Sequence, residues 1–405
     1  MNSAPVRSFV SESDLRAGSA WSDMTLMTVS QTAGVIPRHT ITSDPPRAID
    51  LSKYKVCLEG DLVLNRFNAY RGALGIAPGT GIVSPDYCVL RVHANAEPRY
   101  LNYWFRANST IHSMLQSMGG IGASDPESSG FSRVDVRSLM RERVHISSFH
   151  EQALVADFLD RETAKIDALI EKQAQLIRGL SYRREALRDH LLLQAHSSET
   201  TRPLKYAATL TVGIVVTPAA WYSDTGHIAL RGTNVRDERI DTTDVVYLND
   251  EGHYGHAKSI LTAGDVVVVR TGQAGTASCV PPSLDGVNAI DLLIVKPGRE
   301  LDGEYLALFL NAASTRTLTT AGSVGAIQGH FNTRSLANLD LPVPGLEEQR
   351  RLVRLWYEKR NTIDALIVKS ERMIALAKER RAALITAAAT GQIDVRERAS
   401  REEAA

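Results

Sequence analysis

Two stretches of the chain, 150–194 and 347–390, contain no proline and only one glycine, Gly179. Both are dense in Ala, Leu, Glu, Arg, Lys and Gln, residues that lose little on entering a helix. Apolar side chains recur at heptad spacing in the first, with Leu159, Ile166, Leu180 and Leu187 on one row and Leu169 and Leu176 on the other. The second gives Trp356, Ile363, Ala377 and Leu384, with Leu366 and Met373. This period predicts two long helices, each ~60 Å at ~1.5 Å per residue, packed on one another through those rows. Gln173 and Ser370, then Arg183 and Arg380, break the rows at matching places, as polar residues that fix register do. Elsewhere the pattern shortens to β-rich runs, Asp61 to Arg66, Tyr87 to Val92, Asp265 to Arg270 and Ile290 to Val295, bounded by Gly, Pro and Ser. Runs of that length predict strands. Helical patterns follow over 98–117 and 303–319.

The chain repeats itself. Glu151-Gln152 matches Glu348-Gln349, Ile166-Asp167-Ala168-Leu169-Ile170 matches Ile363-Asp364-Ala365-Leu366-Ile367, and Arg183-Arg184 matches Arg380-Arg381, all 197 positions apart. Upstream the offset drifts. Gly60-Asp61 answers Gly264-Asp265, Arg66 answers Arg270, and Tyr100-Leu101 answers Tyr305-Leu306. The drift is absorbed in the Gly- and Ser-rich segments 119–136 and 322–333, where length change marks surface loops. A duplication on this scale predicts an α+β protein: two pseudo-symmetric β-rich recognition domains separated by a pair of long antiparallel helices, a coiled-coil spacer. The expected divisions are 1–148, 149–195, 196–345 and 346–395, with 396–405 as a disordered tail. Residues 203–213 have no obvious counterpart at the start of the first copy.

Composition narrows the class. The chain has 405 residues, 43% of them apolar, and 46 basic against 46 acidic side chains. Such a chain is too apolar for intrinsic disorder and long enough for two or three domains. No run reaches the ~18–20 apolar residues of a membrane helix, and the opening residues lack the apolar core of a secretory signal. Cys57, Cys88 and Cys279 are too far apart for a metal or disulfide framework, which suits reduced thiols and a cytoplasmic location. Zero net charge argues against coating nucleic acid through a bulk positive field. Residues 1–148 carry 15 basic and 13 acidic side chains, and 196–345 carry 11 and 15. A nucleic-acid reader in the second half must therefore segregate its arginines.

The segments leaving the paired strands carry the chemistry that reads base edges. The first offers Asn65, Arg66, Asn68, Tyr70 and Arg71, the second Arg270, Thr271 and Gln273. Arg, Asn and Gln match purine edges with two hydrogen bonds, and Tyr packs on sugar or base. Arg231, Asn234, Arg236 and Arg239 form a further basic stretch, with Asp237 and Glu238 inside it. The loops add Ser124, Ser128 and Ser129 in one copy and Gln328, His330 and Asn332 in the other. Catalytic signatures are missing. There is no Gly-Lys pair for an ATP phosphate loop, no lysine two residues after an acid, no HExxH, and no Cys/His spacing for zinc. Asp44-Pro45-Pro46-Arg47 resembles the Asp-Pro-Pro-aromatic motif of amino-methyltransferases, but Arg47 supplies no ring to stack on a flipped base. It is better taken as a proline-rich turn.

The two-copy plan resembles the DNA-specificity subunits of type I restriction-modification systems over nearly the whole chain. The resemblance rests on the paired Glu-Gln and Ile-Asp-Ala-Leu-Ile segments, the Gly-Asp-Val-Val-Val-Val-Arg-Thr-Gly run at 264–272 and the Gly-Ile-Val-Ser-Pro-Asp-Tyr run at 81–87. It implies a chain without catalysis that binds a bipartite double-stranded DNA site, each half read by one domain. It also implies assembly with two adenine methyltransferase subunits and with translocating nuclease subunits. S-adenosylmethionine, ATP and Mg would then belong to those partners, with no cofactor or metal in this chain and no membrane association. Two alternatives stand beside it: a helical scaffold that binds protein, and a divergent methyltransferase acting through Asp44.

Overall fold

The computed structural model describes residues 3–46, 48–118, 133–145, 148–196, 201–216, 218–316 and 332–395. They fall into two compact units, Met1–Ala174 with Glu371–Ala405, and Gln175–Ser370. The long helices run Phe149–His196 and Leu346–Ala389, and each contributes a part to both units.

Each unit is built on the same four-stranded antiparallel sheet. In the first the order is Val10–Ser13, Tyr87–Val92, Leu62–Asn65, Leu74–Ile76. In the second it is Ala208–Val212, Leu292–Pro297, Val266–Val269, Ala277–Cys279. The central strands are apolar along their middle residues, where both faces are covered, and polar only toward their ends. Leu62, Leu64, Cys88 and Leu90 face a core shared with the helix Pro98–Arg106, while Val63 and Val89 face another beneath the hairpin Met27–Ser30/Gly34–Pro37. Alternation repeats in the second unit, Val266, Val268, Leu293 and Val295 on one side and Val267, Val269, Leu292 and Ile294 on the other. A period of two splitting into two cores is what a strand's geometry dictates.

The repeated motifs turn out to be joints. Gly60 and Gly264 take φ of 86° and 91°, a left-handed turn that glycine enters without penalty. The following acids are buried. Asp61 accepts Leu58 N at 2.8 Å and pairs with Arg91 at 2.9 Å, and Asp265 accepts Thr262 N at 2.9 Å and pairs with Lys296 at 3.4 Å. Gln152 and Gln349, 1% and 0% exposed, accept the backbone N–H of Glu97 at 2.9 Å and Asp302 at 2.8 Å. Those residues cap the helices Pro98–Arg106 and Gly303–Leu310, so the duplicated glutamine fastens each head to its long helix.

Two sequence expectations need correction. The opening of the first copy does have a counterpart: Ser3–Pro5 pairs with Arg143–His145 as Thr201–Pro203 pairs with Asp340–Pro342, and a one-turn helix then leads into the first sheet strand in both. Pro5 and Pro203 are the one shared residue there, too little to see in sequence. The helix rows were also half misassigned. Leu159, Ile166, Leu180, Trp356, Ile363 and Ala377 are buried, and Leu187 and Leu384 are partly so. Leu169, Leu176, Leu366 and Met373 are 41%, 48%, 46% and 38% exposed. The second inward row lies four residues after the first, at the half-buried Ile170, Ile177, Ile367 and Ile374. Of the polar breaks, Ser370 is buried, but Arg183 and Arg380 are exposed. Their neighbours make the ion pairs: Asp167–Arg381 at 2.9 Å in the first unit and Arg184–Asp364 at 2.8 Å in the second. These are the same two repeat positions with roles exchanged. In the first unit Leu159 shares a core with Ile385 and Ala389, and in the second Leu191 shares one with Leu352 and Trp356. Within each unit the partner's number falls as the residue's own number rises, so the helix segments run antiparallel.

Candidate nucleic-acid interface

The strands Leu62–Asn65 and Val266–Val269 end in polar turns at the same edge of their sheets. In the first, Asn65 Oδ1 accepts Phe67 N at 3.1 Å and tightens the turn. Arg66 Nε donates to Val134 O at 3.3 Å, and Val134 N donates back to Arg66 O at 3.0 Å. Asn68 is half-buried, while Arg71 is exposed with its guanidinium 5.3 Å from the Tyr70 ring. Arg133 lies over the Phe67 ring at 4.9 Å and pairs with Asp86 at 3.4 Å. Asn65, Arg66, Asn68, Tyr70 and Arg71 thus sit on one turn, with Arg133 added from the far side of the chain.

In the second, Thr271 and Gln273 are exposed, and Arg270 Nη1 donates to Asp291 Oδ1 at 2.5 Å. Asp291 holds φ of 50°, one of two non-glycine residues with positive φ among the described residues. The other is Glu238.

The remaining candidates fall elsewhere. Asn234 is 2% exposed and saturated: Oδ1 accepts Arg231 N at 2.8 Å, and Nδ2 donates to Asp241 O at 3.0 Å and Asp244 O at 2.8 Å. A buried amide with its bonds made holds a loop together and reads nothing. Arg231 donates to the carboxylate of Asp244 at 3.0 Å. Arg236 and Arg239 are exposed on a hairpin, Val235–Arg236/Arg239–Ile240, whose tip carries Asp237 and Glu238. Glu238 Oε2 accepts Trp356 Nε1 at 2.7 Å and Arg360 Nη1 at 2.9 Å, and Oε1 lies 3.0 Å from Arg188. The hairpin tip is therefore a clasp onto the long helices of its own unit. Asn332 caps the short helix Thr333–Ala337 by accepting Ser335 N at 2.9 Å. Gln328, His330, Ser124, Ser128, Ser129 and Arg47 lie outside the described residues.

Asp86, Asp291 and Arg133 were missed in sequence. The signal available was the offset of 205 between Asp86 and Asp291, shared with Tyr100 and Tyr305. Among the described residues no group of three or more His, Cys, Asp or Glu side chains is placed to hold a metal ion. Burial raises all three thiols, Cys57 to about 11 and Cys279 to about 12, so none is a ready nucleophile. No described helix is long and apolar enough to cross a membrane.

No protein-family model matches the sequence, and no curated protein matches it. Solved structures do match. A chain from a study of complex assembly and conformational transition in the type I R-M system superposes with a TM-score of 0.70 at 15% identity, covering 97% of this chain and 98% of that one. The HsdS subunit from Thermoanaerobacter tengcongensis superposes with a TM-score of 0.54 at 16% identity, covering 97% of each. The chain has the HsdS fold. At this identity the likeness lies in the backbone plan, and the HsdS-like sheets and helices are held here by the joints described above.

Proposed function

We propose that this chain is the DNA-specificity subunit of a type I restriction-modification system. It binds a bipartite double-stranded DNA site, one half per head, and performs no catalysis itself. Two adenine methyltransferase subunits and ATP-driven translocating nuclease subunits supply the chemistry, bringing S-adenosylmethionine, ATP and Mg with them. One observation carries this reading: the two heads share a sheet, a ladder and their joints, yet differ at the edge where the ladder ends, Asn65 to Arg71 in one and Arg270 to Gln273 in the other. Duplicated scaffolds with diverged tips suit two readers of different sequence. The exposed apolar row is duplicated as well, Leu169 with Leu366 and Leu176 with Met373, which suits a partner present in two copies.

The test is protection of DNA by the reconstituted complex. Two protected blocks flanking a sequence-tolerant gap are expected; one uninterrupted recognition sequence refutes the split site. If the contact is to a base edge, Arg66→Ala relaxes specificity in one half and Arg270→Ala in the other, each by about 1–3 kcal/mol. Uniform weakening on all sequences assigns them to phosphate. For the isolated chain, with no net charge, DNA retention is modest and falls linearly in log salt. Retention indifferent to salt favours a protein scaffold instead. A divergent methyltransferase would bind S-adenosylmethionine as the purified chain; no binding is expected.

A further inference from the structure

Beyond each end of their shared ladder, the two middle strands of each sheet place an acid across from a base, and the two ends differ in exposure. At one end stand Asp61–Arg91 and Asp265–Lys296, whose acids are 3% and 8% exposed. At the other, the last rungs are Asn65 with Tyr87 and Val269 with Leu292, so the next residues across are Arg66 with Asp86 and Arg270 with Asp291. Here the acids stand 50% exposed in both heads. In the second head the cross-strand pair forms directly. In the first, Arg66 turns to Val134 O, and Asp86 takes Arg133 instead. Each head therefore presents, at the edge that carries its diverged turn, one arginine held by a half-exposed carboxylate from the same repeat position.

Exposure separates the jobs. A carboxylate buried against its cation is part of the fold, because removing either partner strands a charge. A half-exposed pair contributes little to stability and is screened by salt, so its arginine can change partners at small cost. Asp291 holds this position on a left-handed backbone that Asp and Asn enter more readily than other side chains.

We propose that Asp86 and Asp291 are resident substitutes for a DNA phosphate. Each holds the arginine of its head, Arg133 or Arg270, in an extended pose, and releases it to the backbone of the duplex on binding. The carboxylate sets a threshold: it keeps the arginine oriented and offsets its charge, which lowers affinity for arbitrary DNA in a chain that must discriminate. The idea rests on the DNA-binding reading above and adds to it the residues that restrain each head.

The experiment uses the full chain and a short duplex of random sequence across a range of salt. Asp291→Asn keeps the backbone, since Asn tolerates positive φ. The variant is expected to bind about fivefold tighter at low salt, the gain shrinking as salt screens the charge that the carboxylate no longer offsets. In an Arg270→Ala background the same change is expected to gain under about twofold, because no arginine is left to release. Asp86→Asn with Arg133→Ala behaves alike, and the two gains multiply in the doubly substituted chain. Equal gains with and without the arginine mean that the acid merely repels DNA, and overturn the proposal. Unchanged affinity overturns it too, and a gain confined to one base sequence replaces phosphate with a base edge. A native chain that retains no duplex at any salt concentration overturns the DNA-binding reading itself.

Discussion

In the first unit Arg99 reaches from the helix Pro98–Arg106 to Asp157 and Asp160 of the long helix, at 2.8 Å each, and Tyr103 OH donates to Asp160 at 2.7 Å. Arg99, Asp157 and Asp160 are 41%, 61% and 43% exposed. In the second unit the sign is reversed and the water is gone. The acid, Glu238, comes from the head, the cations Arg188 and Arg360 come from the long helices, and Glu238 and Arg188 are 3% and 7% exposed. Arg188 also lies over the Trp356 ring at 4.6 Å and donates to Asn311 O at 2.6 Å. One fold thus fastens its two heads by opposite electrostatic means. The sheet and the helix ends conserve only the need for a tie, and the surrounding burial decides what the tie is worth. Coulomb attraction in water is offset by side-chain entropy and salt, whereas a buried pair becomes costly to break once its desolvation has been met.

The sharpest break in that comparison is Glu238→Ala. It leaves the buried Arg188 to Asp237 alone, at 3.0 Å, and Arg360 to the longer contact with Asp364, at 3.6 Å, and it orphans the Trp356 indole, so the second unit should lose about 2–4 kcal/mol. Urea unfolding with hydrogen exchange of residues 175–370 measures it; a loss below about 1 kcal/mol would show the clasp to be wet after all. Gln152→Ala and Gln349→Ala probe a joint that the heads share. Each strands the capping N–H of Glu97 or Asp302, and each should cost about 1–3 kcal/mol in its own unit. Unequal losses would mean that the duplicated glutamines have diverged in role.

Much of this was legible in the chain and some was not, for identifiable reasons. The long helices and the duplication follow from period and offset, and the central strands from unbroken apolar runs such as Val266 to Val269. The inward rows did not follow, because Ile-Asp-Ala-Leu-Ile offers an apolar residue both three and four positions after its first. Leu169 and Ile170 fit alternative rows, and only the crossing of the helices chooses between them. Asn234 looked like a reader because amides in loops look alike whether they meet solvent or close a turn. Glu238 hid in a basic stretch beside Asp237, since an acid among arginines signals nothing until its burial is known. Asp86 and Asp291 share an offset of 205, but their place opposite Arg66 and Arg270 needed the ladder register, which sequence spacing cannot supply across a connection that carries two further strands.

A smaller effect sharpens the contrast from the other side. Arg99→Ala removes the centre of the exposed tie and should cost about 0.5–1 kcal/mol, fading as salt is raised through ~0.5 M. A salt-independent loss of several kcal/mol would place Arg99 on the same footing as Glu238 and erase the distinction between the heads.

The smallest effect on stability belongs to the exposed row, and it matters most for what the helices are for. Leu169→Ser and Leu366→Ser alter equivalent positions that are 41% and 46% exposed, one in each unit. Neither fills a core, so each should shift stability by no more than about 0.5 kcal/mol. If the row exists to dock partner subunits, the same substitutions should weaken assembly, because covering the exposed remainder of each leucine contributes about 0.5–1.5 kcal/mol and a serine does not. Each single variant should then lose one partner of a pair and the double variant both, read as mass by light scattering with the candidate methyltransferase subunit. Undiminished assembly in the double variant would leave the duplicated leucines as ordinary surface and move the partner site off this face of the helices.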